Sequence, residues 1–407
     1  MNANTPYPQN PSIEAFSLEF SGRGGEFFRV WLVNLLLTIV TLGLYTPLAR
    51  RRTAQYFFSH TQVAGSPLEF TAEKRKMLMG FLLLVVLYIA FKLAADTGQD
   101  VAVSLFLLGG ALLAPYFWGS AMRFRLASTR WRGVRLQFTA RWGTVYKASW
   151  PVFVFALVWI AFAFLALADA PASAVDLAAK NPRPALPTLT TWGPVLLLLA
   201  LVASMLCIIR LEFNYKSLMV AKARIGSQLG HWKPVYGDFV RIWLATLGVF
   251  LACVLLVGLL LGALVGGSAG LLAGDGGFGL VKLLLILGLV VAFVFVLLFA
   301  SAPARAYREA RMFQLVWNNV GVSQIARFRC ALGTRAYVLL RVKNLLLTLL
   351  TLGFYRPFAM VSEYRMKAES VTLHVKGGLD QLVGQLVRQQ DALGDAVADV
   401  LGLDFVG

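Results

Sequence analysis

Asn34-Leu-Leu-Leu-Thr-Ile-Val-Thr-Leu-Gly-Leu-Tyr-Thr-Pro-Leu-Ala49 returns near the other end of the chain as Asn344-Leu-Leu-Leu-Thr-Leu-Leu-Thr-Leu-Gly-Phe-Tyr-Arg-Pro-Phe-Ala359. Position by position, 11 of 16 residues are identical at a constant offset of 310. Leu-rich segments match by chance, but Asn, Thr, Gly, Tyr and Pro in register do not. Between Lys343 and Arg356 lie 12 uncharged residues. That is about 18 Å of helix, against a hydrocarbon core about 30 Å thick. Arg23 and Arg29 precede the first copy and Arg50, Arg51 and Arg52 follow it; Arg341 and Lys343 precede the second, and Arg356, Arg365 and Lys367 follow it. The spacing predicts two short segments that enter and leave on the same side. A competing reading makes each copy a full crossing, an inverted repeat of the kind found in secondary transporters, and requires Arg356, Arg365 and Lys367 to be translocated.

Between the copies the apolar residues come in runs rather than faces. Leu78–Ala90, Pro151–Ala168, Pro194–Ile209, Ile242–Val265 and Val281–Ala300 are apolar nearly all round, as bilayer spans must be. The whole chain of 407 residues is 58% hydrophobic and 14% charged, where soluble domains carry roughly 25% charged residues. The expected fold class is an all-α polytopic membrane protein. It would have six full transmembrane helices and two re-entrant segments (alternatively eight full spans), with interfacial amphipathic helices and short β-strands on the cytoplasmic side. Residues 1–26 are expected to form a cytoplasmic N-terminal tail with a short strand, 27–360 the membrane domain, and 361–407 a cytoplasmic C-terminal tail. Met1–Ala15 is polar and has no lysine or arginine, unlike a cleaved signal peptide.

Charge orients the segments. Tyr45–Lys76, Ala121–Lys147, Arg210–Arg241 and Pro303–Lys343 together hold 27 of the 38 Lys and Arg, with only five acidic residues. The alternate loops, Asp96–Asp100, Asp169–Trp192 and Ser268–Leu280, carry five Asp against Lys180 and Arg183. Loops rich in Lys and Arg stay inside, which predicts a bacterial inner-membrane protein with both termini cytoplasmic. The net charge of +18 does not point to nucleic acid, because the basic residues alternate with spans and no nucleic-acid motif accompanies them.

Proline and glycine recur 18 residues apart in the basic segments, at Pro47 and Gly65, Pro115 and Gly133, and Pro303 and Gly321. Arg210–Gly226 is a degenerate copy without the proline. Each stretch reads as an amphipathic helix at the headgroup boundary. Arg50, Arg51, Arg52, Arg123, Arg125, Arg308 and Arg311 are the candidate contacts to anionic lipid. Phe16-Ser-Leu-Glu-Phe20, Val134-Arg-Leu-Gln-Phe138 and Val371-Thr-Leu-His-Val375 alternate with period two, which predicts strands that pair with one another.

The chain offers little for catalysis. His60, His231 and His374 stand alone, without Cys or carboxylates at ligand spacing. Cys207, Cys253 and Cys330 are odd in number and read as small buried residues. Gly22-Arg-Gly-Gly-Glu26 lacks the Gly-Lys-Ser/Thr of a phosphate loop and reads as a turn. No enzyme activity, metal or cofactor is expected. The candidate polar site is the repeated motif itself: Asn34, Thr41, Gly43, Tyr45 and Pro47 with Asn344, Thr351, Gly353, Tyr355 and Pro357. At these positions the bland alternative is helix contact and segment termination.

The repeated segment, preceded by Phe20-Ser-Gly-Arg-Gly-Gly-Glu-Phe-Phe28 and followed by Val63-Ala-Gly-Ser-Pro-Leu-Glu-Phe70, resembles the YjgN family of bacterial inner-membrane proteins, a domain of unknown function. The resemblance implies a membrane location and carries over no functional residue. Two functions stand open, the first of them the leading expectation. One is a transporter or channel for a small solute or lipid, centred on the paired motif. The other is a non-transporting scaffold or regulator that binds anionic lipid or a protein through its basic face. The partners expected are membrane lipids, a small-molecule substrate under the first reading, and a second copy of the chain; nucleic acid is not among them.

Overall fold

Short alternating segments and the glycines beside them set the frame. In a computed structural model describing residues 13–168, 192–226, 228–233, 235–273, 280–322 and 326–377, strands alternate with pairs of helices. The chain opens with β1 (Ile13–Ser17) and β2 (Glu19–Phe20), then α1 (Gly24–Val40) and α2 (Thr46–Ser59). A hairpin of β3 (Thr61–Val63) and β4 (Ser66–Phe70) leads to α3 (Lys74–Asp96) and α4 (Asp100–Ala127). The next hairpin, β5 (Thr129–Trp131) and β6 (Val134–Phe138), leads to α5 (Trp142–Ala148), α6 (Trp150–Ala168) and α7 (Gly193–Ala221). Then come β7 (Ala223–Ile225), β8 (Gln228–Trp232), α8 (Tyr236–Ala273) and α9 (Leu280–Asn319). The described chain ends with β9 (Val320–Val322), β10 (Ala326–Cys330), α10 (Thr334–Leu350), α11 (Arg356–Glu369) and β11 (Val371–Lys376).

Turn chemistry explains two of the recurring glycines. Ala64 and Gly65 sit at φ of 48° and 72°, and Arg132 and Gly133 at 49° and 78°. Two central residues at positive φ make the hairpin turn whose twist suits two-residue loops. Glycine enters this region freely, whereas Ala64 and Arg132 do so at a cost of roughly 1 kcal/mol each. The Arg132 side chain offsets that cost by donating from Nε to Ser66 Oγ (2.8 Å) and from its terminal nitrogen to Ala64 O (3.2 Å). One hairpin turn thus grips the other.

The strands form a sheet in the order β1-β11-β10-β9-β8-β7-β6-β5-β4-β3-β2. Its first and last members are consecutive in the chain. β1 pairs antiparallel with β11, Phe16 opposite Leu373, while β2 pairs with β3, Phe20 opposite Thr61. The N-terminal stretch therefore serves both ends of the order. Period-two alternation turns Trp131, Val134, Ala326, Leu373 and Val375 into one buried cluster, with Phe16, Val63, Leu68 and Phe328 packed against it. Trp131 Nε1 finds an acceptor in Val63 O at 3.2 Å, which lets the indole sit in that core.

The chain forms two compact units, Met1–Leu78 with Ser128–Leu136 and Ile225–Gly407, and Met79–Ala127 with Gln137–Arg224. In the first, two further clusters lie between strands and helices. One joins Leu18, Ala310, Cys330, Leu332, Tyr337 and Val371; the other joins Phe20, Phe27, Tyr56, Phe57, Val361 and Ala368. In the second, Phe138, Ala140, Val145 and Leu218 are buried together. Trp118 stacks on Tyr215 at 4.0 Å, and the Tyr215 hydroxyl meets Ser149 Oγ at 2.8 Å.

Several expectations are met and two need correction. The chain is mostly helical, and α3, α4, α7 and the Tyr236–Leu260 part of α8 are each long and apolar enough to cross a bilayer. The pair α5 and α6, bent by 44°, would make a fifth. Strands occur at Val134–Phe138 and Val371–Lys376, and Phe16–Phe20 is divided between β1 and β2. The all-α class does not hold, because eleven short strands join into one sheet. Single strands of two to six residues carry little signal; only their pairing makes them an element. Nor do Pro115 and Pro303 begin separate interfacial helices. Both lie inside continuous helices, α4 and α9, and only Pro47 opens a distinct short helix, α2. The 18-residue spacing instead measures the distance from a proline to the following hairpin: Gly65 and Gly133 fill its turn and Gly321 lies within β9.

Candidate functional site: the paired short hairpins

The repeated motif folds into two short helical hairpins whose boundaries coincide at the sequence offset. α1 spans 24–40 and α10 spans 334–350; α2 spans 46–59 and α11 spans 356–369. Within each hairpin the threonine closes the first helix. Thr41 Oγ1 donates to Leu37 O (2.7 Å) and accepts from Tyr45 N (3.0 Å); Thr351 Oγ1 donates to Leu347 O (2.7 Å) and accepts from Tyr355 N (2.9 Å). The glycine N–H groups bond back across the last turn, Gly43 to Thr38 O and Gly353 to Thr348 O, both at 2.7 Å. These glycines stand at φ of 90° and 96°, a left-handed helix ending that favours glycine. Pro47 and Pro357 start the returning helices, where a missing N–H costs nothing.

The asparagines tie the two arms together. Asn34 Nδ2 donates to Ala49 O and Asn344 Nδ2 to Ala359 O, each at 3.4 Å. Each set of five motif residues is thus brought together inside its own hairpin, with the threonine hydroxyls and asparagine amides bonded to nearby backbone. The tips are apolar: Leu42 and Leu352 are 94% and 90% exposed and adopt φ of 49° and 51°.

Where the copies differ, chemistry appears. Positions matching Phe27, Trp31, Thr53 and Phe57 at the offset of 310 are Tyr337, Arg341, Glu363 and Lys367. Arg341 bridges Glu363 and, at 3.2 Å, Glu309 of α9; Lys367 Nζ reaches the other Glu309 oxygen at 2.7 Å. Asn344 Nδ2 also donates to Glu363 Oε1 (2.9 Å) and to Ser362 Oγ (3.0 Å). Burial pushes the Glu309 carboxyl upward, but Lys367 and Arg341 outweigh it and hold the group below its usual range. Burial first, and Glu309 beside it, raise the Tyr337 hydroxyl. Glu309, Tyr337 and Glu363 escape a reading that looks for likeness. Departure from an otherwise matching repeat is the signal that finds Tyr337 and Glu363, whereas Glu309 lies on α9 outside the repeat and no sequence signal marks it.

The two hairpins meet through α1 and α11. Phe28 stacks on Phe358 at 5.7 Å, and Trp31 meets Phe354 edge-on at 6.3 Å. A Cβ at Gly24 would lie 2.6 Å from the Phe358 ring, so the Gly-rich run is packing and turn chemistry. Arg365 donates to Gly22 O at 2.7 Å, and the Tyr56 hydroxyl both donates to Arg23 O and accepts from Arg23 N, each at 2.9 Å.

The candidate lipid arginines are placed unequally. Arg51 Nε donates to Ala72 O at 2.7 Å, and Arg123 donates to Ala140 O at 2.8 Å while lying 3.9 Å from the Trp142 ring centre. Those two hold elements together. Arg52 lies over Tyr45, Arg308 over Trp243, and Arg311 donates to Gln314. Arg125 has a partner as well, and Arg50 is exposed at the start of α2.

Residues 15–400 match the family described as bacterial protein of unknown function (DUF898). The chain is also similar to the inner membrane protein YjgN of Salmonella typhimurium strain LT2, 28% identical over 140 residues, which is 34% of each chain. The inner membrane protein YjgN of Escherichia coli O157:H7 is 25% identical over 126 residues, 31% of this chain and 32% of that one. The matched stretch therefore spans about a third of these relatives. No solved structure matches the chain.

Proposed function

The chain belongs to the DUF898 family of bacterial proteins of unknown function, and from that footing we propose that it is a lipid-embedded scaffold of the inner membrane, with a sheet on the cytoplasmic side. Relatives named as inner membrane proteins and several long apolar helices support the location. One observation carries the arrangement. β2 pairs with β3, β4 with β5, β8 with β9 and β10 with β11, so the helices between each pair begin and end at the same sheet. A chain that leaves a sheet and returns to it crosses the membrane an even number of times. For α1–α2 and α10–α11, at 17 and 14 residues per arm, that number is zero and the hairpins are re-entrant. The longer helical connections supply six crossings. The basic segments then share the side of the sheet, in accord with the charge rule.

The scaffold reading is preferred over transport because the paired Asn and Thr residues serve the turns of separate hairpins. α8 packs against α9, but its apolar window buries none of its residues fully, so much of that surface is left to lipid. A cavity beside Asn344 and Thr348 keeps transport as the second reading. Proteoliposomes decide between them. Scrambling of a fluorescent phospholipid and proton leak should match protein-free vesicles; protein-dependent flux of either would overturn the scaffold.

A further inference from the structure

The ion-pair cluster of the C-terminal hairpin borders a cavity of about 420 Å³ between α9, α10 and α11, lined by Arg305, Arg341, Asn344, Thr348, Arg356 and Glu363. Its charges do not balance internally. Arg341 is engaged by Glu363 and Glu309. Arg305 donates to Ser301, and Arg356 is exposed at the start of α11; among the described residues neither has a carboxylate within ion-pair distance. Two cationic groups thus face the cavity with no counter-charge.

A second observation concerns an acceptor. Asn344 is only 1% exposed, and its Nδ2 is fixed by Ala359 O, Ser362 Oγ and Glu363 Oε1, so the amide cannot turn over without losing those acceptors. Its Oδ1 is buried and has no hydrogen-bond partner. A buried unsatisfied acceptor is costly, on the order of 1–3 kcal/mol, and a donor from a ligand would satisfy it. Asn34 Oδ1 is also unpartnered, but the positions matching Arg341 and Arg356 there are Trp31 and Thr46. The charged lining belongs to one copy alone.

We propose that this cavity binds a phospholipid headgroup: a phosphodiester held by Arg305 and Arg356, with a headgroup hydroxyl or ammonium donating to Asn344 Oδ1. Guanidinium groups suit phosphate oxygens because their paired N–H groups match the anion's geometry. A lipid is preferred to a soluble phosphate ester because of where the cavity sits. Arg356 opens α11 beside the hairpin tip, and Leu346, Leu350, Leu352 and Phe354 toward that tip are large exposed apolar groups. Acyl chains would lie along that apolar surface.

The inference rests on the membrane reading above only for the source of the phosphate, so it is tested in detergent micelles, where topology plays no part. Thermal unfolding of the full chain is followed while phosphatidylglycerol, phosphatidylethanolamine, phosphatidylcholine or soluble glycerol phosphate is added. The midpoint should rise with phosphatidylglycerol and phosphatidylethanolamine, and less with phosphatidylcholine, whose quaternary ammonium has no N–H to donate. In Arg305→Ala/Arg356→Ala the lipid-free midpoint should match the parent, because both side chains are exposed. Its apparent lipid affinity should fall about tenfold per arginine. The control Arg327→Ala, on an exposed position of β10 outside the cavity, should respond as the parent does. A double variant that keeps the full lipid response overturns the site. An equal rise with soluble glycerol phosphate overturns the lipid as ligand.

Discussion

Leu352 and Gly353 set the tip of the C-terminal hairpin, and they should respond to substitution with opposite signs. Gly353 stands at φ of 96°, so Gly353→Ala forces a side chain into the left-handed region and should lower stability by about 1 kcal/mol or more. Leu352, at 51°, already bears that strain, and Leu352→Gly should leave the micellar unfolding midpoint unchanged or raise it. Asn344→Leu removes the donor to Ala359 O and Glu363 and should cost about 1–3 kcal/mol. Asn34→Leu, which removes a bond to Ala49 O, should cost less. Equal midpoints for the two asparagine variants would mean that Glu363 adds nothing. Glu309 gives the pH dependence. Its folded pKa lies below the ordinary 4.5, so the carboxylate stabilises the fold fully above that value. The contribution is lost as pH falls from there through the depressed folded pKa. The midpoint gap between parent and Glu309→Gln should therefore be constant near neutrality and shrink as the pH drops below 4.5.

Among the described strands, β11 carries the most weight because it pairs over five residues with β1 and over five with β10. Leu373 on its inner face is 3% exposed and packs in the sheet core. Leu373→Ala should cost about 2–5 kcal/mol by leaving a cavity among Trp131, Val134 and Phe328. A loss under 1 kcal/mol in denaturant titration would show that the two halves of that core are not packed together. The short hairpins make a different prediction. A spin label at position 352 should be relaxed by oxygen, which partitions into hydrocarbon, and not by a water-soluble nickel chelate. A label at position 376, at the end of β11, should show the reverse. Strong nickel relaxation at position 352 would place the tip in water and remove the re-entrant assignment.

For the whole molecule the sheet makes a prediction that no single segment makes. Glu69, Arg135, Arg327 and Lys376 are exposed on strands of one sheet, so cysteines at these positions must share one side of the membrane. In intact spheroplasts an impermeant maleimide should leave all four unlabelled, and it should label all four after lysis. Labelling of all four before lysis would invert the orientation. Labelling of only some would break the sheet. A cysteine within 170–191 should label before lysis, because that loop follows the opposite charge pattern.

The residue pattern by itself determined that the chain lives in a bilayer. Runs of apolar residues and the alternation of basic and acidic loops are one-dimensional consequences of hydrocarbon thickness and charge. It also marked the second short motif, since the 12 uncharged residues between Lys343 and Arg356 are too few to cross unaided, and the first by its likeness to it. The strands at Val134–Phe138 and Val371–Lys376 were legible for the same reason, a period of two that separates a buried from an exposed face. Only the tertiary structure decided what those pieces build. Ala64-Gly65 and Arg132-Gly133 read as loops until their strands are seen to pair, and β1 and β2 gain partners more than 350 residues and more than 40 residues away, respectively. The ionic cluster was hidden for a related reason. Glu309, Arg341 and Glu363 lie on three helices, and neither hydrophobic period nor local spacing records that folding brings their charges within 4 Å, where the loss of hydration has to be offset by one another.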